Sequence, residues 1–323
     1  MRIFKLLFLL LQFTSVNSGQ GISGYVTITG YGACKPDGED LIVLRKFLLA
    51  DQSFYLALSP FSLKTQILRS GSITFIPAPW EEIRSRYSST PYIKAIIQAE
   101  SYSYALQDAG FTRFLPSQNG IDLTLDLCPS QRPLDRIVFT DLIHEVGLIE
   151  KPVPIAISIT GKWIGMHQED LNWLKELVRA GELSIVWINH SFNHFTKKNL
   201  PLIKNFMLEP GTDINAEVLN TEIALLQEDI IPSVFFRFPG LVSDRTVYNR
   251  ILNFGLIPIG SDAWLAKGQS PLNGSIVLIH ANGNEPVGIR DFIDLLKKEG
   301  PYILSRRWEL YDLRESLVYD ENR

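Results

Sequence analysis

From residue 120 to the C-terminus, short apolar runs alternate with longer stretches whose apolar residues recur every three to four positions. The short runs, 121–125, 154–160, 184–188, 234–236, 256–260 and 275–279, read as strands. The longer ones, 169–180, 214–228 and 287–298, read as amphipathic helices. In the first of these helices Leu171, Leu174, Leu177 and Val178 fall on one face and Gly181 marks the stop. Strands alternating with helices in this way predict a mostly parallel sheet or a (β/α) barrel. Residues 19–118 are less regular. Alternation at 25–29 and 72–76 predicts strands, while the spacing over 40–49 and 92–106 predicts helices, the second closed by Gly110. This is an N-terminal α/β segment, either a small domain of its own or an elaboration on the barrel wall. The turn-rich stretch Pro116-Ser117-Gln118-Asn119-Gly120 marks the boundary, so that 119–323 forms the barrel domain.

Composition narrows the classes. A chain of 323 residues that is 46% hydrophobic has ample material for a core, which excludes a disordered or fibrous protein. The net charge of -4 comes without a basic cluster, so nucleic acid is not an expected partner. Residues 1–18 carry Arg2 and Lys5, the apolar run 6–11, and Val16-Asn17-Ser18 before Gly19, the pattern of a cleavable secretory signal. That run is too short to span a bilayer, and no other stretch approaches the required length. The mature chain is thus expected to be secreted or periplasmic, with no stable membrane span once the signal is removed. The only cysteines, Cys34 and Cys128, admit three readings: a bridge, which an exported protein favours, two free thiols, or Cys128 as a soft metal ligand.

The candidate chemistry sits at one kind of place. Five of the six strands lead into an ionisable group: Asp126, His190, Arg237, Asp262 and His280. The carboxyl ends of strands are where parallel sheets and barrels build their sites. His190 and His194, four residues apart, are placed to turn two imidazoles toward one ion. Three of the chain's five histidines therefore fall in this set, leaving His144 and His167 outside it. Asp122, on the same strand face as Asp126, is expected to be a solvated or salt-bridged edge residue.

The ordered series resembles the polysaccharide deacetylase family (NodB homology domain, carbohydrate esterase family four). The matching segments are Thr124-Leu125-Asp126-Leu127-Cys128-Pro129, His190-Ser191-Phe192-Asn193-His194, Arg237-Phe238-Pro239, Asp262-Ala263-Trp264 and Leu278-Ile279-His280, with Thr160-Gly161-Lys162-Trp163 between the first two. The resemblance spans roughly 120–316 and implies a distorted (β/α) barrel. It implies a divalent ion, most plausibly zinc, on His190 and His194, with Asp126 as general base oriented by Arg237. It makes His280 the general acid tuned by Asp262, with Trp264, Leu278 and Pro239 shaping the substrate pocket. One feature departs from the pattern: the position of the family's third metal ligand, an aspartate, is Leu127, and an apolar side chain cannot ligate. The resemblance leads one to expect that Leu127→Asp raises metal affinity. Substitutes for the missing ligand are Asp126 first, then Cys128, or Asp141 or Glu145 reaching in from a loop. Cys128 also follows where the family has glycine, and Gly240 stands where an aromatic residue is usual.

Two functions follow. One is an exported metal-dependent hydrolase that removes N-acetyl groups from an amino-sugar polysaccharide such as peptidoglycan, a chitin-like chain or an exopolysaccharide. The other is a catalytically impaired barrel acting as a glycan-binding or cell-wall assembly protein. A cysteine-histidine nucleophile built on Cys128 is a third, for which the spacing singles out no partner histidine.

Overall fold

The computed structural model describes residues 21–34, 38–103 and 105–321. The signal segment expected at 1–18 lies outside them. The chain opens with five antiparallel strands: β1 (Ile22–Cys34), β2 (Asp40–Leu49), β3 (Gln52–Leu58), β4 (Thr65–Arg69) and β5 (Ile73–Pro77), in the spatial order β4-β3-β2-β1-β5. Helices α1 (Trp80–Arg86) and α2 (Pro91–Glu100) follow. Thr90 caps α2 by accepting from the Ile93 amide, and Pro91 occupies the first turn.

The stretch 40–49 is a strand, not the helix its spacing predicts. Leu41 to Arg45 are all buried because both faces of β2 are covered. Ile42 and Leu44 enter the core shared with the barrel, while Leu41 and Val43 enter a second cluster with Tyr55, Ala57 and Ile73. A strand buried on both faces loses the polar half of its alternation, and an unbroken apolar run can be taken for either element. The helix expected over 92–106 likewise stops early, at Glu100.

The second part alternates as expected. Strands β6 (Gly120–Leu127), β7 (Val153–Ile159) and β8 (Leu183–Asn189) are separated by α3 (Arg136–Glu145), then by α4 (Gly161–Met166) and α5 (Gln168–Arg179). After α6 (Ile214–Gln227) come β9 (Phe235–Phe236), α7 (Arg245–Asn253), β10 (Ile257–Pro258), β11 (Ala263–Trp264) and β12 (Ile276–His280). The chain finishes with α8 (Pro286–Leu304), β13 (Glu309–Leu310) and α9 (Leu313–Glu321). The parallel order is β10-β9-β8-β7-β6-β12-β11, with β13 beside the start of β6. In α5, Leu171 and Leu174 are buried and Leu177 partly so, but Val178 is exposed. Gly181, at φ +71°, takes the left-handed position just beyond the helix end.

Two layers of core flank the curled sheet. Its concave side, with Ala156, Ile188, Phe236 and Ile276, merges with the N-terminal elements through Ile42, Leu44, Ile93 and Ile96. Its convex side, with Leu123, Leu125, Leu127, Val277 and Ile279, packs under α3, α5 and α8 through Phe139, Leu171 and Phe292. Among the described residues no β10–β11 pairing closes the sheet. Instead, residues 111–114 bridge from the β10 end to β12: the Phe111 amide donates to Pro258, the Gly260 amide to Phe111, the Ile276 amide to Thr112 and the Phe114 amide to Gly274. Residues preceding the 116–120 turn thus supply backbone to the barrel wall. Buried Arg45 adds a tie by donating through Nε and Nη2 to Glu222 of α6 at 2.7 and 2.9 Å.

Candidate functional site

The strand pleat decides which side chains meet. On β6, Asp122, Thr124 and Asp126 point to the concave side and Leu123, Leu125 and Leu127 to the convex side, because successive side chains alternate. Cys128 continues the concave series. Its Sγ lies 3.5 Å from His190 Nε2 and 3.3 Å from His194 Nε2. The ligand atoms of Cys128, His190 and His194 all fall within 4.8 Å of one another. The expected bridge is therefore corrected: Cys34 and Cys128 are both free, and the Cys128 sulfur is turned toward two imidazoles. Asp126, the first substitute ligand expected, has its Oδ1 accepting from Arg237 and its Oδ2 at 3.6 Å from His190 Nε2. Asp141 and Glu145 lie on α3, where Glu145 faces Gly300 of α8 away from the site.

Backbone and side-chain bonds hold the two histidines. His190 follows the end of β8, and its Nδ1 contacts the Arg237 carbonyl at 2.9 Å. A carbonyl can only accept, so Nδ1 carries a hydrogen, and Nε2 is the nitrogen that faces Cys128. The turn to His194 uses left-handed backbone at Ser191 and at His194 itself, with φ of 66° and 47°. Glu217 of α6 holds that turn by accepting from the amides of Phe192 and Asn193 and from Asn193 Nδ2. Phe206 stands edge-on to His194 and fills the space over Gly240, where any Cβ would run into its ring. An aromatic wall is present at this spot, but from a different segment than the one after Pro239.

Asp126 and His280 are register partners on β6 and β12. Burial opposes ionisation of Asp126, but the Arg237 guanidinium, His190 and His280 outweigh it and bring its pKa down to about 2. Arg237 is fully buried and divides its donors among Asp126 Oδ1 at 2.9 Å, Thr124 Oγ1 at 2.6 Å and the Gly260 carbonyl at 2.8 Å. For His280, burial disfavours the cation, yet Cys128, Glu285 and Asp126 together raise its pKa well above the ordinary value. The Cys128 thiol is likewise pushed up by burial and drawn down further by His194, His280 and His190, ending well below the usual thiol value.

The partner of His280 is not the expected one. Asp262 pairs with Arg113, from the segment bridging the sheet edges, at 2.6 Å. Glu285, just before α8, takes its place, with Oε2 at 2.8 Å from His280 Nδ1 and accepting from Trp264 Nε1 at 2.8 Å. Trp264 lies against His280 with ring centres 5.5 Å apart, and Lys267 Nζ sits 3.5 Å from the indole centre. Leu278 is fully buried beneath the site and Pro239 is buried at the turn after Arg237. Asp122, expected at a solvated edge, is buried and accepts from Ser316 of α9; burial raises its pKa, and it takes no part in the site. Sequence reasoning thus missed Glu285, Glu217 and Asn282, whose Nδ2 donates to the Cys128 carbonyl. Glu285 follows His280 by only five residues, a signal that motif spacing passed over.

The residues present fit a divalent ion. Two imidazole nitrogens and one sulfur lie within 4.8 Å of one another, and nitrogen and sulfur donors suit zinc.

No protein-family model matches the chain. Its fold is similar to solved structures of family-four carbohydrate esterases. One is an esterase from Bacillus anthracis (19% identical, 66% of this chain and 88% of that one, TM-score 0.47). Another is PdaA of Bacillus subtilis (14%, 75% and 92%, TM-score 0.48). A third is a family pseudoenzyme from Bacillus anthracis (17%, 66% and 70%, TM-score 0.45).

Proposed function

We propose that this protein is an exported metal-dependent hydrolase that removes N-acetyl groups from an amino-sugar polysaccharide such as peptidoglycan, a chitin-like chain or an exopolysaccharide. One observation carries the reading: at a single mouth, on adjacent strands, a carboxylate engaged by an arginine stands beside an imidazole faced by a second carboxylate, with two further imidazoles next to them, and these partners shift the Asp126 pKa down and the His280 pKa up. Environments that drive two titratable groups apart assign base and acid. A protein that only bound glycan would have no use for that pairing. Export rests on the secretory pattern of residues 1–18, and among the described residues no helix is long and apolar enough to cross a membrane.

Amide hydrolysis needs a base for the attacking water and an acid for the departing nitrogen. Asp126 is the base. Arg237 engages its Oδ1, which leaves Oδ2 to take the proton of the water. His280 is the acid. Glu285 faces its Nδ1, so Nε2 delivers the proton to the amine as the C–N bond breaks and acetate forms. When bound by His190 and His194, the ion would polarise the acetyl carbonyl and lower the pKa of the water. Trp264 fixes Glu285 through its indole N–H and lines the pocket beside His280, Leu278 forms the floor beneath the acetyl methyl, and Pro239 shapes the wall. Asp262, engaged by Arg113, is left with a structural role in this scheme.

The test is acetate release from chitin oligosaccharides and from peptidoglycan with zinc supplied. Release by the wild-type chain, abolished in Asp126→Asn and His280→Ala while glycan binding persists, is the expected result. Binding of glycan without acetate from any substrate would replace this reading with that of a glycan-binding or cell-wall assembly protein.

A further inference from the structure

We infer that Cys128 is the third protein ligand of the centre, so that this chain carries a Cys-His-His site selective for zinc-like soft ions, in which the donor has moved one residue along the strand from position 127. The inference rests on the hydrolase reading only in taking His190 and His194 as ligands.

The pleat is the first argument. Leu127 faces the convex core among Leu125, Val138 and Ile159, so any side chain there points away from the imidazoles. Cys128, one residue on, faces them. Distances are the second. A sulfur about 2.3 Å and a nitrogen about 2.05 Å from one ion, at a tetrahedral angle of about 109°, stand about 3.5 Å apart. The observed separations of 3.5 and 3.3 Å are close to that value. A third is support around the ligands. Metal sites are held by hydrogen bonds that fix each ligand from behind. Here the Arg237 carbonyl fixes the His190 tautomer, and Asn282 pins the Cys128 carbonyl. His167 Nε2 contacts the Ser130 carbonyl at 2.8 Å and steadies the turn that follows Cys128. With Cys128 as the third ligand, Asp126, whose Oδ1 accepts from Arg237, keeps its Oδ2 for the role of base. A thiolate with two imidazoles favours zinc and cobalt over magnesium, calcium and manganese, which prefer oxygen donors.

Cobalt(II) substitution of the full chain reads this directly. The expected spectrum shows visible d–d bands together with an intense near-ultraviolet sulfur-to-cobalt charge-transfer band. Cys128→Asp keeps the d–d bands and loses the charge-transfer band, whereas Leu127→Asp in a Cys128→Ser background does not recover tight binding. Zinc-edge X-ray absorption of the wild-type chain, which needs no variant to fold, should show one sulfur at about 2.3 Å beside nitrogens at about 2.0–2.1 Å. Cobalt bound without the charge-transfer band, and zinc without a sulfur neighbour, overturns the assignment of Cys128 and leaves the hydrolase reading intact. Failure of the wild-type chain to bind either ion, or binding that is unchanged in His190→Ala/His194→Ala, overturns both.

Discussion

Leu127→Asp separates the pleat argument from the motif argument most sharply. Leu127 is fully buried among apolar side chains on the convex side of the sheet. Losing a buried leucine side chain costs about 2–5 kcal/mol. A carboxyl group left there without a partner adds about 1–3 kcal/mol even in its neutral form. The sum, roughly 3–8 kcal/mol, rivals the total stability of about 5–15 kcal/mol typical of a folded protein. Urea unfolding followed by tryptophan fluorescence should show the midpoint collapsing or the variant failing to fold, and zinc titration of any soluble fraction should show no gain in affinity. The resemblance-based expectation was a sharp gain. Wild-type stability with tighter zinc binding would refute the assigned strand orientation and restore position 127 as the ligand site.

Three further outcomes follow from the same geometry. Glu285→Gln removes the charge that helps hold the His280 cation, so the alkaline limb of the activity profile should move to lower pH, while Asp262→Asn leaves that limb in place; the opposite pattern would return the tuning role to Asp262. The Asp126 pKa lies below its ordinary value of 3.8, at about 2, so the stability it contributes is complete above the higher value and lost as pH falls through the lower one. That contribution is roughly 2 kcal/mol, and acid unfolding of Asp126→Asn should lack it. Glu217→Gln weakens the acceptor that holds the turn between His190 and His194, and zinc affinity should fall about 10–100-fold by competition titration, as for other groups supporting metal ligands.

The alternation of strands and helices after residue 120, and the polar residue closing each strand, were legible because local periodicity reports local structure. Asp126 with Arg237, and His190 with His194, are brought together as their order along the chain suggests. Strand β2 was not legible, because packing covers both of its faces and erases the alternation on which the reading depends. The same limit applied at the site. Motif order named His280 but assigned it Asp262, which the bridging segment claims through Arg113.

Sequence alone therefore determined the inventory of the candidate site: two imidazoles, a carboxylate, an arginine and a further histidine at the carboxyl ends of parallel strands. Tertiary structure alone decided the pairings. Direction along a strand alternates with each residue, so one step of pleat turns Leu127 into the core and Cys128 onto the histidines. Distance across a fold is set by packing and not by spacing in the chain, which is why Glu285 reaches His280 and Glu217 holds a turn more than twenty positions before it.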